Sequence, residues 1–253
     1  MISRRGDPGL AWPLSSPPRG TALGWMAMAK ASLFDRVVGK RVTPIDLDTL
    51  QTTLEAFETL EIDIGTGDGR HVIDVARATP DRLVIGVDAV AENMSDASRK
   101  AAAAQRKGGL ANALFVRAAA ERLPGPLAGR ADQVTVNYPW GSLMRIVAEP
   151  DPDGLAGLRG LCKPGAGLRV LLNYTVIADR PYMERLGLGE IADPADSPAL
   201  PEIYKAAGFI LETREIFAGD PPVRTRWGRQ LVRGGARRTL LLEASAIAAG
   251  ETP

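Results

Sequence analysis

At 253 residues the chain is longer than the roughly 100 to 200 of a typical domain but too short for two comfortable ones, so one elaborated domain is expected. Hydrophobic residues at 45% and charged residues at 24% can build a full core and exclude wholesale disorder. With 31 Lys and Arg against 30 Asp and Glu the formal net charge is only +1, so affinity for a polyanion would have to come from local clustering. One cysteine, Cys162, and one histidine, His71, exclude a disulfide framework, a Cys/His zinc site and, unless His71 itself serves, any triad with a histidine base. No apolar stretch approaches the roughly 20 residues of a membrane span, and the first residues lack the apolar run of a secretory signal. A cytoplasmic, membrane-free protein is expected.

Residues 1–25 carry four Gly and four Pro among Ser and Arg and show no period. They predict a disordered leader over 1–33, with a single domain over 34–253; Met26 and Met28 lie where this composition gives way to an ordinary one. Short apolar runs then predict seven strands: Leu60 to Ile64, Leu83 to Val87, Ala113 to Arg117, Gln133 to Asn137, Leu168 to Asn173, Phe209 to Ile216 and Thr239 to Glu243. Helical patterns lie between them at Arg70 to Ala78, Ala91 to Arg106, Gly154 to Cys162 and Leu200 to Ala207. Such alternation predicts an α/β fold, a seven-stranded and mostly parallel sheet with helices on both faces. Two stretches break the alternation and read as irregular insertions, near 143–152 and near 218–236.

The first strand runs into Gly65-Thr66-Gly67-Asp68-Gly69, which opens a helix. Glycine is needed where backbone passes close to a ligand. A dinucleotide site would read G-x-G-x-x-G, with pyrophosphate on the helix N-terminus. Here the spacing is G-x-G-x-G with acids beside it. Asp63 and Asp68 would repel a pyrophosphate but suit a ligand carrying an ammonium and a sulfonium, and Asp88, ending the second strand, can take ribose hydroxyls. S-adenosylmethionine is favoured over NAD. Ala119-Ala120-Glu121-Arg122-Leu123-Pro124 follows the third strand, where adenine would lie; its plainer reading is a helix start with Glu121 matched to the dipole. The fourth strand ends in Asn137-Tyr138-Pro139-Trp140-Gly141-Ser142, so Trp140 is either a core plug or a stacking platform at the ligand edge.

Between Asp96 and Glu121 there is no acid, but Arg99, Lys100, Arg106, Lys107 and Arg117 are present. Between Asp220 and Glu243 stand Arg224, Arg226, Arg229, Arg233, Arg237 and Arg238, with Trp227 among them. Such runs are commonly solvated faces. Two of them in a near-neutral chain, both expected to flank the cofactor edge, read as a phosphate-contacting surface with a base-stacking residue.

The run from Asp35 (Asp-Arg-Val-Val-Gly-Lys-Arg-Val), the Asp-Ile-Gly-Thr-Gly-Asp-Gly turn, Lys107-Gly108-Gly109-Leu110-Ala111-Asn112, Ala120-Glu121-Arg122-Leu123-Pro124, Pro139-Trp140-Gly141-Ser142-Leu143 and Arg226-Trp227 together resemble the aminoglycoside-resistance 16S rRNA methyltransferases that modify N1 of adenine 1408. The resemblance runs in order from about Phe34 to the last strand. It implies a Rossmann-like class I methyltransferase, a monomer acting on 16S rRNA in the assembled 30S subunit. It further implies that S-adenosylmethionine is held by Asp63, Gly65, Gly67, Asp88, Ala120 and Glu121, with Thr225 near the second tryptophan. The flipped adenine would lie between Trp140 and Trp227. Lys100, Arg106, Lys107, Arg226, Arg229, Arg233, Arg237 and Arg238 would meet the rRNA, while Gln230 stands where the family tends to carry a basic residue. Two alternatives are a tRNA guanine-N7 methyltransferase, which would carry a basic, His-containing segment where Gly141-Ser142-Leu143-Met144 stands, and a catalytically silent rRNA-binding assembly factor.

Overall fold

The central strands are rich in apolar residues because helices cover both faces of a parallel sheet, although Glu61, Asp63, Thr135 and Asn137 also lie buried within them. In the computed structural model, which describes residues 34–119, 123, 125–149, 152–185, 192–219, 223 and 238–248, nine strands make one sheet. They are β1 (Asp35–Val38), β2 (Arg41–Pro44), β3 (Thr59–Ile64), β4 (Arg82–Asp88), β5 (Ala113–Arg117), β6 (Ala131–Asn137), β7 (Cys162–Asn173), β8 (Phe209–Ala218) and β9 (Arg238–Ala246). Their order is β2-β1-β5-β4-β3-β6-β7-β9-β8. The five from β5 to β7 are mutually parallel, β9 enters antiparallel between β7 and β8, and the β1–β2 hairpin adds antiparallel to β5.

All seven predicted strands are present, but the sheet is nine-stranded and mixed, not seven-stranded. The two extra strands are the hairpin. Each has only four residues, one of them Arg, so neither shows a long apolar run. Its two-residue loop, Gly39-Lys40, has Gly39 at φ 60°, the left-handed conformation that such tight loops demand.

Helices cover both faces. On one, α4 (Gly141–Ala148), α5 (Pro152–Arg159) and α8 (Leu200–Ala206) pack Leu143, Val147, Leu155, Leu158, Leu200 and Tyr204 against Ile62, Ile64, Val134, Val136, Leu168 and Val170. On the other, α2 (Arg70–Ala78) and α3 (Ser95–Ala101) pack Val72, Ala76, Ala97 and Ala101 against Val84 and Phe115. Helix α1 (Leu47–Glu55), begun by an Asp46 side chain that accepts from Thr49 N, leans Leu54 on the first core. Two further short helices, α6 (Tyr174–Ile177) and α7 (Arg180–Arg185), follow β7. Among the described residues no helix is long and apolar enough to cross a membrane.

Three sequence expectations change. Residues 143–148 are helical, not irregular: Leu143, Met144, Val147 and Ala148 share one buried side of α4. The helix expected over Gly154 to Cys162 spans Pro152–Arg159, and Cys162 opens β7. The single helix expected over Ala91 to Arg106 is a 3₁₀ turn (Ala91–Met94), then α3, then a second 3₁₀ turn (Gln105–Lys107). The break lets Gly108-Gly109 fold back, so that a side chain at Gly109 would overlap the carbonyl of Ala103 and Leu110 N donates to Ala101 O at 2.9 Å. Behind this loop Asn112, 5% exposed, donates its amide to the carbonyls of Ala76, Thr79 and Arg82 at 2.8, 3.1 and 2.9 Å. Those carbonyls end α2 and open β4. Thr79 O also accepts from Arg82 N at 3.1 Å, so the amide is one donor among those that hold this corner, and Asn112→Ala is expected to lower stability by about 1 to 3 kcal/mol in urea unfolding; a change below about 0.5 kcal/mol would mean that water replaces the amide.

Candidate functional site

The carboxyl ends of β3, β4 and β6 meet at one edge of the sheet. Three glycines let the chain turn there: Gly65, Gly67 and Gly69 have φ of 69°, 56° and 69°. At Gly65 a Cβ would stand 2.6 Å from Leu143 Cδ2, and at Gly69 one would stand 2.5 Å from Phe115 Cε1, so the turn is packed as well as bent. Gly65 N and Thr66 N donate to Val87 O at 2.8 and 3.0 Å, hanging the turn from the end of β4.

Asp88 ties the next loop to this turn. Its Oδ2 accepts from Gly67 N at 2.9 Å and its Oδ1 from Val90 N at 2.8 Å. An ionised carboxylate offers about four acceptor positions, so capacity remains for hydroxyl donors. Gly65, Gly67, Asp88, Tyr138, Pro139 and Trp140 are among the residues that line a cavity of about 310 Å³, and Asp88 is the only charged residue on its wall among those described. Its walls therefore suit an uncharged or cationic ligand with hydroxyls better than a pyrophosphate.

Asp63 stands just behind the turn and is 1% exposed. Its Oδ1 accepts from Thr135 Oγ1 and Asn137 Nδ2, both at 2.9 Å, across the β3–β6 pairing. Its Oδ2 is buried without a hydrogen-bond partner among the described residues, as are Asn137 Oδ1 and Thr66 Oγ1. Buried acceptors left empty are costly, and a cluster of them beside a cavity fits an ammonium-bearing ligand. Neither acid lines the cavity: Asp63 lies one residue behind its Ile64 and Gly65 wall, and Asp68, expected beside the ligand, instead pairs with Arg70 at 3.1 Å.

Trp140 is half-buried; it packs on the core and also lines the cavity, so both sequence readings of it describe part of its position. Tyr138 aims it. This residue has φ 53°, a conformation rare outside glycine, and is held by its N–H to Leu171 O at 2.8 Å and by a hydroxyl contact with Thr239 Oγ1 at 3.1 Å. Sequence reasoning misses Thr135, Asn137 and Tyr138 as site residues, because only strand register shows what they face.

Lys100, Arg106 and Lys107 are exposed but do not flank the cofactor edge. Helix α3 carries them back along the sheet to the start of β5, the opposite edge. Arg238 opens β9, its N–H donating to Thr175 Oγ1 at 2.9 Å and its guanidinium lying 4.9 Å from the Tyr174 ring centre. The hydrogen bond to Asp193, with burial and that acid's charge, pushes the Tyr174 hydroxyl up to about 12. Ala120, Glu121, Thr225, Arg226, Trp227, Arg229, Arg233 and Arg237 lie outside the described residues.

On the same face of β3 as Asp63, Glu61 accepts from Arg82 at 2.8 Å and meets His71 Nε2 at 3.3 Å. For Glu61, burial is the largest single influence and pushes upward, but the bonds to His71 and Arg82 outweigh it and leave the carboxyl below its ordinary value. For His71, burial pushes down most, yet the charge of Asp63 and the bond to Glu61 together raise it. The His71 contribution is therefore complete below its unfolded value of about 6.5 and is lost as pH rises through the raised value. That of Glu61 is present above the ordinary carboxylate range and lost as pH falls through the lowered value. The stability gap between wild type and His71→Gln should be widest in mildly acid solution and narrow as pH rises through the raised value, read from urea unfolding. A gap independent of pH would show a histidine with the same affinity for protons folded and unfolded, and a gap that shrinks in acid one kept neutral by burial.

The family model for NpmA, 16S rRNA (adenine(1408)-N(1))-methyltransferase, matches residues 35–246. The enzyme so named from Streptoalloteichus tenebrarius is 40% identical over 205 residues, covering 78% of this chain and 91% of that protein. Its Escherichia coli namesake is 35% identical over 207 residues, covering 79% and 92%. Among solved structures, a tryptophan-to-alanine mutant of the 16S rRNA (adenine(1408)-N(1))-methyltransferase from Catenulisporales acidiphilia, with cosubstrate SAM, superposes with a TM-score of 0.78 at 30% identity over 87% of this chain and all of that one. The antibiotic-resistance methyltransferase Kmr does so with a TM-score of 0.68 at 41% identity over 84% of this chain and all of that one. The chain belongs to the 16S rRNA (adenine(1408)-N(1))-methyltransferase family.

Proposed function

We propose that the protein transfers a methyl group from S-adenosylmethionine to N1 of adenine 1408 of 16S rRNA in the assembled 30S subunit, conferring aminoglycoside resistance, as a cytoplasmic monomer. The observation that carries the reading is the meeting of the glycine turn, Asp88 and the Pro139-Trp140 shelf on one cavity. On this reading β5-β4-β3-β6-β7-β9-β8 is the Rossmann-like class I core and the hairpin an addition to it.

The residues fit the cofactor: Gly65 and Gly67 admit it to the backbone, Asp88 faces its ribose hydroxyls, and Asp63, with Asn137 beside it, supplies acceptors for its ammonium. Ala120, Glu121 and Thr225 complete the proposed set. When bound, S-adenosylmethionine supplies an electrophilic methyl on a sulfonium. Unpaired adenine carries a free lone pair on N1, so no base is needed, consistent with the absence of any His or Lys from the cavity wall among the described residues. The chain's work is to hold the base out of its stack and to aim it. Trp140 offers one aromatic face for this, and Trp227 is proposed as the other. Indole faces bind the adenine more strongly as it gains positive charge, by roughly 1 to 3 kcal/mol per stacked face.

Primer extension on rRNA from 30S subunits incubated with the protein and S-adenosylmethionine tests the reading, because an N1-methyl blocks base pairing. A stop at adenine 1408 is expected. Subunit binding and cofactor uptake with no stop would favour the silent assembly factor. Trp140→Ala and Trp227→Ala should each cut methylation about 10- to 100-fold, with Phe restoring part of it and calorimetry showing near-normal cofactor affinity. A variant that loses the cofactor instead would mark its tryptophan as structural.

A further inference from the structure

The hairpin that the sequence pattern conceals brings a second set of cations to the first basic cluster. From Arg36 to Ile45 the chain holds no acid, and Arg36, Lys40 and Arg41 are exposed, with no ion pair among the described residues. Strand β1 pairs with β5 only at Asp35↔Arg117 and Arg36↔Val116, after which the two strands part. The hairpin loop thus runs to the edge where α3 ends. It is pinned there: Gly39 N donates to Ser98 Oγ at 3.0 Å in a buried bond, and a Cβ at Gly39 would lie 3.6 Å from Arg99 Cβ. Lys40 and Arg41 accordingly stand beside Arg99 and Lys100.

The space between the parted strands is a cavity of about 230 Å³ lined by Arg36 and Val38 on one side and by Ser98, Ala102, Gln105 and Gly109 on the other. Arg106 and Lys107 follow directly on its rim. Within this cluster Arg99 is offset by Asp96, as Arg145 is by Glu149 elsewhere on the surface. Arg36, Lys40, Arg41, Lys100, Arg106 and Lys107 have no such partner among the described residues, although two segments some 60 positions apart must converge to assemble them. Like charges held together on a fixed scaffold repel one another, and a polyanion relieves that repulsion while releasing its own counterions.

We propose that the β1–β2 hairpin and the 99–107 segment form one phosphate-contacting surface for ribosomal RNA, with Lys40 and Arg41 at its tip. This rests on the rRNA methyltransferase reading above and adds to it a contact from a part of the fold outside the seven-strand core. The surface lies at the opposite edge of the sheet from the cofactor cavity, so it grips RNA away from the target base.

Binding of Lys40→Ala/Arg41→Ala to 30S subunits, measured against KCl concentration, tests it. The log–log salt slope should flatten by about 1 to 2 units relative to wild type, since each lost phosphate contact removes roughly 0.7 to 0.9. Cofactor affinity by calorimetry should not change. Lys205→Ala, which removes an exposed cation from α8 on the other face of the sheet, should leave the slope as in wild type. If wild type binds and methylates subunits and the double variant has the same slope, the hairpin surface is overturned while the methyltransferase reading stands. If wild type neither binds subunits nor produces the reverse-transcription stop, both fall. A double variant that loses cofactor affinity would show that the hairpin acts on the fold, which also overturns the proposal.

Discussion

Asp63 is almost out of contact with water, and a carboxylate taken from water costs several kcal/mol unless charge or hydrogen bonds replace the lost hydration. Thr135 and Asn137 supply two bonds, both to one oxygen, from the strand that pairs with β3. A slip of one residue would put Ile62 or Ile64 against those polar groups and turn Asp63 into the apolar core, so the carboxylate and the core specify the same register. His71, brought in by the first turn of α2, adds a charge that faces Asp63 and a bond to Glu61. Among the described residues nothing donates to the other oxygen. The native state keeps that unmet demand next to an open cavity, and whatever cation meets it stabilises the folded chain by mass action as well as binding to it.

The wall opposite the glycine turn depends on a second stored strain. Tyr138 adopts a left-handed backbone conformation without being glycine, at a cost on the order of 1 to 3 kcal/mol. Its buried ring and its contact with Thr239 on β9 hold it there. The chain needs this bend because β6 must leave the sheet and begin α4 within three residues, and without it Pro139-Trp140 would continue away from the glycine turn instead of facing it. A smaller residue at 138 would remove the strain and the anchor together.

The parallel strands were legible because burial on both faces makes them rich in apolar residues even where Glu61 and Asp63 interrupt the run, and the glycine turn because its spacing and acids are unusual. The hairpin was hidden by its own charges; only the Gly39-Lys40 pair between two valine-containing tetrads marks it. Helix α4 was obscured by the Gly141-Ser142 that opens it and by Pro150 and Pro152 after it, although the spacing of Leu143, Met144, Val147 and Ala148 is helical. Thr135 and Asn137 look like the polar half of an alternating strand until pairing sets them against Asp63. The placing of Lys100, Arg106 and Lys107 at the cofactor edge failed on chain direction: a helix that follows a strand at one edge must return to the other before the next parallel strand can start.

That return separates the two functions of the surface. Strand β4 has seven residues, and at about 3.3 Å per residue the cofactor edge and the hairpin edge lie roughly 20 Å apart. A nucleoside or short oligonucleotide in the cavity cannot also touch Lys40, whereas a folded RNA can reach both. Contacts at the far edge do not change with the reaction at N1, so they add equally to ground-state and transition-state binding and act on substrate selection. Contacts made only after the base is extruded act on the chemical step. An enzyme that must find one adenine among many exposed ones gains from this arrangement, because a base enters the cavity productively only when the surrounding RNA has the shape to meet the distant cations at the same time.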